Sequence, residues 1–193
     1  MRGNDKVLAT LNELLADELT AINQYMVHSE MCDNWGYERL HHTVEKRAID
    51  EMKHAEKLIA RMLFLEGRPV VSQLNAIAIG AEVEPQLRND LKAEEGAVKA
   101  YNAGIRLCVE SADNGTRELL EEILKDEERH IDWLEAQLDQ IKQMGIQNYL
   151  VEQVDKECAP GVEGVEGEGA NGRLVRPLQA DAARGRASAG GGP

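Results

Sequence analysis

The chain has 193 residues, 30% of them charged, and a net charge of −13. That length suits one domain with a sizeable core, and the acidity argues against a nucleic acid as main partner while favouring cations. Cys32, Cys108 and Cys158 form no C-x-x-C, no apolar run reaches the length of a membrane span, and the start Met1-Arg2-Gly3-Asn4-Asp5-Lys6 lacks an apolar signal core. A reducing cytoplasm is therefore expected, with no membrane and no disulfide framework.

Residues 5–34 read as a first helix, because Leu8, Leu11, Leu15, Glu18, Ile22 and Tyr25 recur at steps of three or four. Asp33-Asn34-Trp35-Gly36 is a short turn, which makes the next helix an antiparallel neighbour. Residues 37–65 form the second helix, with Leu40, Val44, Ala48, Glu51, Leu58, Met62 and Leu65 inward and His54 one turn beyond Glu51. Gly67 and Pro69 end it. Residues 66–82 have no helical period but include Val70, Val71, Leu74, Ile77 and Ile79. Such a stretch fits an ordered crossover along the bundle, which lets the second and third helices run parallel.

The third helix spans 83–111, with Leu87, Leu91, Glu94, Val98, Tyr101, Ile105 and Cys108 inward and Pro85 in its first turn. Asp113-Asn114-Gly115 interrupts, and Thr116 is expected to cap the fourth helix over 117–144. Its stripe is Leu120, Leu124, Glu127, Ile131, Leu134, Leu138 and Ile141, and Gly145 closes it. Ile146 to Val154 suits a short fifth helix. From residue 155 the chain holds nine of its seventeen glycines and no apolar period, so 155–193 is expected to be a disordered tail. The fold class is all-α: a four-helix bundle over 1–154, with helices of about 28 residues, or roughly 42 Å.

Two Glu-x-x-His pairs stand out, Glu51/His54 and Glu127/His130, each within an inward stripe. Three residues apart in a helix, Glu and His share one face. Glu18 and Glu94 occupy the stripes of the other two helices. Four inward carboxylates are costly unless protons or cations neutralise them. Two divalent ions balance four carboxylates with neutral imidazoles, and two ferric ions with one oxide give the same total. Carboxylate and imidazole donors suit Fe, Mn or Zn, and no thiolate favours a softer ion. Tyr25 lies seven residues beyond Glu18, Tyr101 seven beyond Glu94, and Trp133 three beyond His130. They are either electron carriers or ordinary core aromatics. His28, His41 and His42 lack such partners and are expected at the surface. No H-E-x-x-H is present.

A Glu from each of two helices plus an Exx-His from each of the other two is the ligand pattern of ferritin-like proteins. The local text narrows this: Asn23-Gln24-Tyr25, Ile49-Asp50-Glu51-Met52-Lys53-His54-Ala55, Asp126-Glu127-Glu128, His130-Ile131-Asp132-Trp133-Leu134-Glu135 and Gln147-Asn148-Tyr149-Leu150. Over residues 1–154 the chain resembles a bacterioferritin. The resemblance implies a ferritin-like bundle that assembles as a hollow shell of 24 subunits, oxidises Fe(II) with O2 or H2O2 and stores ferric mineral. It implies two Fe ions per subunit: Glu18 and His54 on one, Glu94 and His130 on the other, Glu51 and Glu127 bridging, and Tyr25 supplying an electron. It also implies a b-type haem shared between two subunits, with Met52 as axial ligand and Leu19, Ile22, Asn23, Met26, Ile49 and Lys53 lining it. A ferredoxin-type reductant would release the iron.

The chain departs from that family in places. Lys46 and Arg47 stand where relatives often carry His and Glu of an inner-surface iron site, although Asp50 remains. Leu58 replaces a tyrosine of some relatives, Glu45 an aromatic that can border the haem, and Val151 a polar neighbour of the channel residue Asn148. Two other readings of the same residues are a rubrerythrin-type peroxidase, against which the missing C-x-x-C module speaks, and a non-enzymatic haem-carrying subunit, against which the complete ligand set speaks.

Overall fold

The computed structural model describes residues 1–154, so the expected tail at 155–193 lies outside the described residues. Five helices run in order: α1 (Asp5–Asn34), α2 (Glu38–Phe64), α3 (Val83–Glu110), α4 (Asn114–Met144) and the short α5 (Ile146–Val151). There is no strand among the described residues, and no helix there is long and apolar enough to cross a membrane. The architecture is the expected all-α four-helix bundle with a crossover between α2 and α3 and a short C-terminal helix.

The helix ends follow from local chemistry. The Asn4 side chain accepts from the Lys6 amide at 2.9 Å and caps α1. At the start of α4 the expected cap was Thr116, but Asp113 takes that place. Its carboxylate accepts from the Thr116 amide at 3.0 Å and from the Thr116 hydroxyl at 2.6 Å, so the helix begins at Asn114. Both residue types cap well, and the earlier one gains the extra bond. α1 ends with the Tyr37 amide donating to the Cys32 carbonyl, a turn that needs the positive φ of Gly36. Gly145, at φ 79°, closes α4.

α1 pairs with α2, and α3 with α4. Two large apolar clusters fill the bundle, beside a small one of Tyr25, Val44 and Ala48. One contains Leu11, Leu14, Leu15, Leu58, Met62, Leu120 and Ile123. The other contains Leu40, Leu87, Leu134, Ile141 and Tyr149, with α5 packed at that end. By register along the helices, a polar layer lies between them, at Glu18, Glu51, Glu94 and Glu127. Leu58, a departure from the family, is wholly buried in the first cluster.

The crossover is strapped to one stripe of α1. Asn12 accepts from the Val70 amide at 2.8 Å, Thr20 from the Asn75 amide at 2.8 Å, and Gln24 from the Ala78 amide at 3.0 Å. The last strap corrects an expectation. His28 is fully buried rather than at the surface, and its Nε2 accepts from the Gly80 amide at 3.1 Å. Its Nδ1 lies 2.9 Å from Asp90 of α3, which also accepts from Gln24. The crossover covers a face of α1 that would otherwise be solvated, and His28 is buried beneath it.

Candidate metal centre

All six predicted donors come together. Glu18, Glu51, His54 and Glu127 form one group, and Glu51, Glu94, Glu127 and His130 a second; within each, one ligand atom per residue lies within 4.8 Å of the others. The groups share Glu51 and Glu127. The five besides His130 are buried, and His130 is slightly exposed. A cavity of about 290 Å³ reaches these carboxylates between α1 and α3, from Asn75, Ala76 and Lys92.

His54 Nδ1 lies 2.8 Å from Glu51, 3.0 Å from Glu127 and 3.6 Å from Glu18. His130 Nδ1 lies 3.0 Å from Glu51 and 3.4 Å from Glu94. Close as they are, Glu51 Oε1, Glu127 Oε1 and His130 Nδ1 have no aligned hydrogen bond. Buried polar atoms without partners are costly. Here they are donor atoms of one mixed carboxylate–imidazole set, which fits divalent iron in charge and ligand type.

Around the centre, further groups orient these donors. Tyr25 of α1 donates to Glu94 of α3 at 2.5 Å, and Tyr101 of α3 donates to Glu18 of α1. The pairing is crossed: each tyrosine, seven residues beyond one glutamate, bonds the other. That requires α1 and α3 to be antiparallel. Asp126 lies 3.2 Å from His54 Nε2. It can hold the proton on that nitrogen and leave Nδ1 facing the carboxylates.

Burial sets the charge states first and the neighbours modify them. Burial pushes the Glu18 carboxyl up to about 8 and that of Glu127 well above its ordinary value. Burial also opposes ionisation of Glu51, but the imidazoles of His130 and His54 beside it outweigh that and bring the carboxyl down to about 2. For the imidazoles burial favours the neutral ring, yet the carboxylates win. Glu51 and Glu94 raise His130 to about 9, and Glu127, Glu18 and Glu51 raise His54 further. Burial and nearby carboxylates keep Tyr25 and Tyr101 protonated.

The other predicted residues occupy the outer face of α1 and α2. Met52 is 46% exposed, with Met26, Ile49 and Lys53 also exposed and Leu19, Ile22 and Asn23 partly so. Of the residues singled out as departures, Glu45, Lys46 and Val151 are exposed, as is Asn148. Arg47 is not: it is buried, its guanidinium 4.7 Å from the Trp133 ring and 5.9 Å from the Tyr25 ring. Sequence reading missed Arg47, His28, Asp90 and the role of Asp126. Only Asp126, beside Glu127 in the quoted motif, carried a signal.

A family model described as a ferritin-like domain matches residues 8–144. A bacterioferritin of Mycolicibacterium paratuberculosis is 41% identical over 156 residues, covering 81% of this chain and 98% of that protein. A bacterioferritin of Brucella melitensis is 40% identical, covering 77% and 92%. A bacterial ferritin of Synechocystis is 41% identical, covering 80% and 99%. With the domain matched over most of its length and whole relatives aligned to it, the chain belongs to the bacterioferritin family.

Proposed function

We propose that the protein stores iron: it oxidises Fe(II) at the centre inside each bundle and keeps the ferric product within a hollow shell of 24 subunits. The observation that carries this reading is the pair of overlapping donor groups sharing two carboxylates. Glu18 and His54 hold one Fe(II), Glu94 and His130 the other, and Glu51 and Glu127 bridge them. Two Fe(II) give two electrons to O2, and with two protons this yields two Fe(III) and H2O2; H2O2 serves equally as oxidant. The bridging pair keeps the ions close. Where H2O2 takes only one electron from Fe(II) on its way to water, Tyr25, bonded to Glu94, would supply the second and lose its proton. The cavity at Asn75 and Lys92 supports access for small reactants.

The outer face supports a haem. Met52 presents a thioether on an apolar surface with Ile49 and Met26, a donor and setting that fit a b-type haem gripped between two copies. The haem would carry electrons. Met52 would ligate it and the apolar neighbours would cover its faces.

The test is stopped-flow oxidation of Fe(II) by metal-free protein. Wild type should show a fast phase saturating at about two Fe(II) per subunit. His54→Ala should lose that phase, and Glu18→Ala should slow it while the shell still assembles by sedimentation. Absence of the phase in wild type would defeat the ferroxidase reading, and a dimer in place of a large shell would defeat the storage reading.

A further inference from the structure

We propose a second metal site, separate from the bundle centre: His41, His42 and Glu45, on the first turns of α2, together bind an exchangeable divalent first-row transition ion. Glu45 is four residues beyond His41 and three beyond His42, so it sits one turn above both and completes a triangle. One ligand atom from each lies within 4.8 Å of the other two. The imidazole centroids are 5.1 Å apart. Both histidines were expected to stand alone at the surface; instead they converge with a carboxylate.

The surroundings prepare His41 for the role. Its Nδ1 lies 3.2 Å from the Ser29 carbonyl oxygen, which can only accept, so Nδ1 carries the proton. The Ser29 hydroxyl is 3.0 Å from the same Nδ1 and donates onward to the His41 carbonyl at 3.3 Å. The tautomer is thereby set, with the Nε2 lone pair left for a ligand. A ring N–H held by a backbone carbonyl is the usual support of a metal-bound histidine. His42 and Glu45 are exposed and make no hydrogen bond or ion pair among the described residues. An ion would therefore displace no protein contact.

Two imidazoles and one carboxylate select against Mg(II) and Ca(II), which prefer oxygen alone, and suit Zn(II), Fe(II), Co(II) or Ni(II). Three donors, His42 and Glu45 exposed and His41 partly so, leave positions for water, the arrangement of an exchanging site rather than a closed structural one. Glu45 precedes Met52 by seven residues, so the site shares the outer face of α2, about 10 Å along the axis from Met52. This proposal stands whether or not the bundle centre oxidises iron.

The experiment is Zn(II) titration of the full-length, metal-free protein at neutral pH, with bound metal counted after equilibrium dialysis. His42→Gln and Glu45→Gln change exposed side chains and should leave the fold intact by circular dichroism. Wild type should bind about one more Zn(II) per subunit than either variant. A His130→Ala variant should lose metal from the centre and keep the additional ion. Equal counts for wild type, His42→Gln and Glu45→Gln would overturn the site, whatever the centre binds.

Discussion

Loading the bundle centre with Zn(II) at pH 7 should release about three protons or more per subunit, because ligation requires carboxylates and neutral imidazoles. In the metal-free protein Glu18, held up to about 8 by burial, is protonated at pH 7, and burial raises Glu127 well above its usual range. Burial opposes charge on His130 and His54, but their carboxylate neighbours raise both, His130 to about 9, so both rings are charged. Glu51, brought down to about 2, has no proton to give. As pH rises to 9, Glu18 and half of His130 lose theirs beforehand, and the release should fall. Stability follows the same groups. The unfolded protein releases protons from Glu18 near 4.5 and from His130 near 6.5, below their folded values. Both contributions are therefore present at low pH and lost as pH rises, Glu18 through 8 and His130 through 9. The metal-free melting temperature should drop between pH 6.5 and 9. The assay is calorimetric titration of the His42→Gln variant in buffers of different ionisation enthalpy, which counts protons at the centre alone. A release of one proton or none at pH 7, or a release that grows with pH, would refute the reasoning.

Two substitutions test other parts of the structure. Gly80→Ala would bring a Cβ to 2.3 Å from the Gln86 amide nitrogen and 2.7 Å from its Cα, both backbone atoms that cannot yield. It should cost about 3 kcal/mol in urea unfolding, and an unchanged midpoint would mean the crossover is not held there. Met52→Leu changes an exposed side chain, so fold and iron oxidation should be kept while haem uptake, read from its visible absorption, is lost; retained haem would move the axial ligand elsewhere.

The bundle and its six inward donors were legible because both rest on one local quantity, the helical period. Glu18, Glu51, Glu94 and Glu127 sit where leucines would continue the stripe, and period alone turns them inward. What escaped depends on partners distant in the chain. His28 looks like any surface histidine until a crossover over 50 residues later covers it and Asp90 meets its ring. Arg47 reads only as a departure at an inner-surface iron site, yet it is buried with its guanidinium over the Trp133 ring. The cap at α4 failed differently: Asp113 and Thr116 are both good caps, and only coordinates show that the threonine bonds the aspartate. Convergence of His41, His42 and Glu45 was within reach of helical spacing, but no apolar stripe drew attention to it.

The crossed tyrosines hold two of the four carboxylates from outside the centre. Tyr101 occupies one oxygen of Glu18, and Tyr25 one oxygen of Glu94. Each of these two carboxylates is thus fixed by a hydroxyl from the neighbouring helix. Asp126, at His54 Nε2, restrains the ring in the same way. The remaining cost is concentrated in three buried atoms without aligned partners, on Glu51, Glu127 and His130. Two of the three belong to the proposed bridging carboxylates, so the strain lies where two cations relieve it most. The apolar clusters on either side, with Leu58 and Ile123 wholly buried, supply the stability that lets the metal-free layer persist in that state.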